Sequence, residues 1–129
     1  MTRKLLLPLL LLLTLLLTGC AAKTVTPRGG SYRMSASPEA VLVPSLTLDA
    51  KNKTYIFSYD MLSSYLSVGS YEQDGDVIVC ATDDGLNPYL FRVVNETTLA
   101  FIAEGSASVI LTDPRIGESV VDGSVFLLE

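Results

Sequence analysis

Hydrophobic and polar positions alternate with period two from residue 41 onward. Leu46 and Leu48 interleave with Ser45, Thr47 and Asp49. After the turn formers Ala50-Lys51-Asn52-Lys53, Tyr55, Phe57 and Tyr59 interleave with Thr54, Ile56 and Ser58. This alternation, rich in aromatic and β-branched residues and bounded by turn formers, is the mark of half-buried strands. Leu66 and Val68 lead into Gly69-Ser70-Tyr71, and Gln73-Asp74-Gly75-Asp76 reads as a hairpin turn, with Asp-Gly its strongest local signal. Val77 to Thr82 forms the return strand. Asp83-Asp84-Gly85 turns the chain again, and Asn87-Pro88 keeps that loop out of a central strand. Tyr89, Phe91 and Val93, then Leu99 and Phe101, continue the alternation across the turn Asn95-Glu96.

The pattern predicts an all-β domain, a small antiparallel meander of about six to eight strands closed as a barrel or packed as a sandwich. The expected inward set is Leu46, Leu48, Tyr55, Phe57, Tyr59, Leu66, Val68, Ile78, Cys80, Tyr89, Phe91, Leu99 and Phe101. The last third is less regular. Val109-Ile110-Leu111 is a short apolar run stopped by Asp113-Pro114, residues 117–123 read as loop, and Val125 to Leu128 fits a final strand at the sheet edge.

The start of the chain follows another pattern. Arg3 and Lys4 precede a nearly pure leucine run from Leu5 to Leu17. Those 13 residues are short of the roughly 20 needed to span a bilayer as a helix. A basic start, a short apolar core and a small-residue exit describe a secretory signal. The exit here is Leu17-Thr18-Gly19-Cys20, which resembles the lipobox of bacterial lipoproteins. The resemblance implies cleavage before Cys20, a diacylglyceryl group on its thiol, and attachment to the extracytoplasmic face of a cell membrane. Two acyl chains on one residue meet the two-chain requirement for stable anchoring. The organisation expected is therefore a signal peptide over residues 1–19, a lipidated Cys20 with a flexible tether over residues 20–40, and the β domain over residues 41–129. Small, polar, Gly and Pro residues dominate the tether, although Tyr32 to Ala36 fits a peripheral strand.

Composition narrows the chemistry. The 129 residues carry 9 basic and 14 acidic side chains, a net charge of −5. Removing Arg3 and Lys4 with the signal makes the remainder −7. A domain this acidic is a poor match for nucleic acid or anionic lipid surfaces. There is no His, which excludes His-based zinc sites and His-dependent nucleophilic catalysis, and no motif for a cofactor is present. With Cys20 used for lipid, Cys80 has no intrachain partner and reads as a small buried hydrophobe. Asp74, Asp76, Asp83 and Asp84 cluster in two turns and offer carboxylates to calcium, but the spaced ligand set of a calcium loop is missing. Paired carboxylates for a hydrolase have no distinguishing spacing. Tyr65 and Tyr71, flanking Gly69, form a candidate ligand face.

A second resemblance spans the β segment. Pro44-Ser45-Leu46-Thr47-Leu48, Phe57-Ser58-Tyr59, Leu62-Ser63-Ser64-Tyr65-Leu66, Gly69-Ser70-Tyr71-Glu72, Thr82-Asp83-Asp84-Gly85, Tyr89-Leu90-Phe91 and Asp122-Gly123-Ser124-Val125-Phe126 resemble, in their order, a β module of small Gram-positive lipoproteins. A similar module forms the extracellular tail of beta-lactam-sensor-like membrane metallopeptidases. The zinc-binding helix of those peptidases has no counterpart here, so the resemblance implies a β-rich extracytoplasmic module without peptidase activity. A more distant likeness is to lipocalin-like envelope-stress lipoproteins, whose metal-binding cysteines are absent. The function expected is a non-enzymatic binding or sensing accessory for an envelope protein or peptide. The alternatives are a regulator or inhibitor of a membrane peptidase or envelope-stress system and, third, a carboxylate-based hydrolase.

Overall fold

A computed structural model describes residues 23–129. The expected signal peptide over residues 1–19 and Cys20 lie outside the described residues. Eight antiparallel strands run in sequence order around a closed barrel: β1 (Gly30–Met34), β2 (Ser45–Asp49), β3 (Thr54–Ser58), β4 (Ser67–Asp74), β5 (Val77–Thr82), β6 (Pro88–Asn95), β7 (Thr98–Ile102) and β8 (Val125–Leu128). Every strand pairs with its neighbour in the chain, and β1 closes on β8 through Tyr32↔Leu128, Arg33↔Leu127 and Met34↔Phe126. Closure leaves no bare sheet edge.

Eight strands give an interior just wide enough for side chains to fill it. Here aromatic rings fill it. Phe57 packs against Tyr59, Tyr89, Phe91, Phe101 and Phe126 with centroid distances of 5.1 to 6.3 Å, several of them edge-to-face. Such pairs add about 0.5–1.5 kcal/mol each beyond burial. The polar groups inside are matched: the Tyr55 and Ser67 hydroxyls share a 3.0 Å hydrogen bond, and both residues are buried.

The structure corrects the expected inward set at β4. Leu66 and Val68 are exposed, whereas Ser67, Gly69 and Tyr71 face inward. A one-residue change of phase turns every side chain of a strand over. The reason lies at Gly69, whose Cα approaches β5 so closely that a Cβ would stand 2.0 Å from the Ala81 carbonyl oxygen. Only glycine permits that approach, so the small residues take the inside of this corner and the aliphatic ones the outside. Tyr59 is half-buried against the core rather than within it.

The tether boundary also moves. The chain is part of the barrel from Gly30, and Tyr32 and Met34 are core residues. Pro27 is buried as well. The Tyr32 hydroxyl donates to the Arg28 carbonyl at 2.5 Å, with the Glu96 carbonyl as a second acceptor at 3.1 Å. The Arg28 amide donates to Glu96 O at 2.9 Å, and Gln73 Nε2 donates to Val25 O at 2.6 Å. Residues 23–29 therefore lie against the turns joining β4 to β5 and β6 to β7.

Candidate functional site

The meander gives the barrel two unlike ends. One carries three short turns, at residues 50–53, 75–76 and 96–97, together with residues 23–29. Gly75, first of a two-residue loop with φ 62°, lets the chain reverse between β4 and β5. The other end carries residues 35–44, 59–66, 83–87 and 103–124. The last of these is 22 residues without a strand. Connections of that length in a compact domain are uncommon and characteristically serve binding or catalysis.

The long loops are tied to one another. Val120 on the longest loop is buried in the core, and Ala107 and Val109 pack against it. Residues 103–124 thus cross the barrel mouth and cover it. Leu42 and Gly117 form a parallel bridge, with Leu42 N donating to Ile116 O and Glu118 N to Leu42 O. Asp60 Oδ2 accepts from the Thr112 amide at 2.7 Å and the Thr112 hydroxyl at 2.6 Å, which joins residues 59–66 to the longest loop. Those hydrogen bonds, Thr112 foremost, hold the Asp60 carboxyl below the usual carboxylate range. Asn87 Nδ2 donates to the Tyr65 hydroxyl at 3.2 Å, bringing in residues 83–87. Within that loop Asp84 accepts from the Thr82 hydroxyl and the Leu86 amide, and its pKa is lowered for the same reason.

On this tied platform sit most of the large exposed apolar side chains. Val41, Leu86 and Ile110 are 75%, 76% and 77% exposed. Met61, Leu62, Leu66, Ile116 and Val121 are exposed on the same loops. Leu42, Met61, Leu62, Leu111 and Ile116 line a small cleft where residues 59–62 meet 111–117, with Asp60 and Asp113 at its edge. Arg115 neutralises Asp113 through two hydrogen bonds, at 3.0 and 2.9 Å.

Charge follows the same division. The four long loops hold eight acids, Glu39, Asp60, Asp83, Asp84, Glu104, Asp113, Glu118 and Asp122, against Arg115 alone. That is −7, the whole net charge of residues 20–129. The short-turn end is near balance, with Lys23, Arg28, Lys51 and Lys53 against Asp49, Asp74, Asp76, Glu96 and Glu129.

The residues singled out from sequence are not brought together. Tyr65 is 43% exposed on the long-loop end, while Tyr71 is 4% exposed and points into the core, so the two share no face. Asp74 and Asp76 lie at one end of β5 and Asp83 and Asp84 at the other, separated by the length of that strand. Among the described residues no three His, Cys, Asp or Glu side chains cluster as metal ligands. Cys80 is fully buried, paired across the sheet with Tyr71 and Tyr89, and burial pushes its thiol pKa well up, away from thiolate chemistry. Sequence reasoning missed the apolar loop residues. The signal for them was the strandless stretch after β7, which keeps Val, Ile and Leu where solvated loops carry polar residues. No protein-family profile, curated protein or solved structure matches this chain.

Proposed function

We propose that this protein is a lipid-anchored extracytoplasmic binding module that presents the long-loop end of its barrel to an envelope protein or peptide. The observation that carries the reading is the polarity of the barrel: the loops and their exposed apolar side chains lie at one end, and the N-terminal segment joins the other. If Cys20 carries lipid, at most about 10 Å of extended chain separates it from Lys23. Lys23 already lies beside Thr24, Val25, Gly75, Asp76 and Val93 at the short-turn end. The near-neutral end then rests by the bilayer, and the end carrying −7 faces away, the arrangement an anionic lipid surface favours. The filled interior leaves recognition to the outside of the barrel.

Two measurements test this reading. Metabolic labelling with an alkyne fatty acid should mark the wild-type chain and not a Cys20→Ser variant. Crosslinking followed by pull-down from membranes should recover a partner with the lipidated protein above the Cys20→Ser control. Labelling that persists in the variant removes the anchor from this account, and the absence of a partner removes the binding role.

A further inference from the structure

Single exposed hydrophobes are ordinary on any protein surface. Their concentration on the long loops, where the net charge also concentrates, is not. A surface of this kind loses free energy in water unless something covers it, and its charge restricts what that is. Nucleic acid and anionic lipid headgroups would be repelled. A second copy of this chain would set −7 against −7 across the same face, and like charges brought together at an interface oppose association. An uncharged apolar partner would strip water from carboxylates without answering them.

We infer that the long-loop end is a docking surface for a basic amphipathic segment of a partner protein. Apolar side chains of that segment cover Leu86, Ile110 and the cleft between Met61, Leu62 and Ile116. Its Lys and Arg side chains answer the surrounding acids. The bonds from Asp60 to Thr112 and from Asn87 to Tyr65 hold the loops together before a partner arrives, which lowers the ordering cost of association. The inference rests on the binding-module reading above, but not on the lipid.

The test uses the full chain purified from the producing cells, held in phosphatidylcholine nanodiscs if it fractionates with membranes and in buffer if it does not. A fluorescein-labelled peptide of Leu and Lys, spaced as an amphipathic helix, is titrated against it, with the matching empty nanodiscs or buffer subtracted. Saturable binding is expected, weakening steeply with salt. Leu86→Ser with Ile110→Ser changes two exposed tips and should weaken binding about tenfold or more, with an unchanged melting temperature showing that the fold is kept. Asp74→Asn with Asp76→Asn, at the opposite end, should leave binding within about twofold, since both acids lie a barrel's length away and are screened from the site. The inference is overturned by an absence of saturable binding. Unchanged affinity in the Leu86/Ile110 variant, or equal binding of the same peptide with Glu in place of Lys, would overturn it too. Failure here alongside partner recovery by membrane crosslinking would remove this surface and leave the binding role standing.

Discussion

The Cα of Gly69 lies so close to β5 that a Cβ added there would stand 2.0 Å from the Ala81 carbonyl oxygen and 2.9 Å from its carbon. Both neighbours are backbone, so neither can swing aside as a side chain would. Gly69→Ala must therefore push β4 away from β5 along the longest pair of strands in the barrel. The expected cost is about 3 kcal/mol, which in a domain of this size lowers the melting temperature by roughly 15 °C. Thermal unfolding followed by circular dichroism checks this. An unchanged melting temperature would mean that the corner is not tight.

The same glycine explains where the sequence misleads. Leu66-Ser67-Val68-Gly69-Ser70-Tyr71 offers two alternating phases, and the more hydrophobic one places Leu66 and Val68 inside. The barrel takes the other, because the inside of the corner has no room beyond Ser67 and Gly69. That choice depends on β5, which lies elsewhere in the chain. Tyr65, although in step with Tyr71, sits on the loop before β4 begins and so leaves the face that Tyr71 occupies. The alternation predicts a barrel or a sandwich, and the barrel is what forms; which strands close it was out of reach. Closure needs Tyr32 and Met34 to pair with Leu128 and Phe126, nearly a hundred residues away, and Gly29-Gly30 and Pro27 give that stretch the composition of a linker. The remaining alternation, from Leu46 to Phe101, was legible because each strand pairs with its immediate neighbour and the turns between them carry their own chemistry. The docking surface was not, because sequence alone does not show which loops share an end.

The Tyr32 hydroxyl is the core-side tie on residues 23–29, beside those from the Arg28 amide and the Gln73 side chain. Tyr32→Phe keeps the buried ring and removes the proton donated to Arg28 O. The global loss should be about 1 kcal/mol. The local effect should be larger: the Arg28 amide, which donates to Glu96 O, should exchange hydrogen faster, while core amides of β5 and β6 keep most of their protection. Uniform acceleration across all strands would contradict the local role.

Alkaline pH should unfold the barrel through its buried tyrosines. Burial raises Tyr55 to about 12, above its ordinary 10.0, and shifts Tyr32, Tyr71 and Tyr89 in the same direction. Between pH 10 and about 12 the folded chain holds phenolic protons that the unfolded chain has released. Stability is therefore full below pH 10 and falls as pH rises through the folded value. Tyrosinate absorbance should show a late step that coincides with loss of the β-sheet signal. A late step completed while the sheet remains intact would contradict it.

Asp60 works in the opposite direction. Its lowered pKa means that the tie to Thr112 is present above the ordinary carboxyl range and is lost as pH falls through the folded value. Asp60→Asn should speed hydrogen exchange at the Thr112 amide at neutral pH with little change in melting temperature, because the tie lies outside the core. Unchanged exchange at Thr112 would show that the loops are held by other contacts.

The proposed orientation gives the barrel a membrane-facing end and a partner-facing end. A photo-crosslinking amino acid placed at Leu86 samples one, and the same residue at Asp76 samples the other. On irradiation of intact cells, the position-86 variant is predicted to give protein adducts and the position-76 variant lipid adducts. Lipid adducts from position 86 with protein adducts from position 76 would contradict the account.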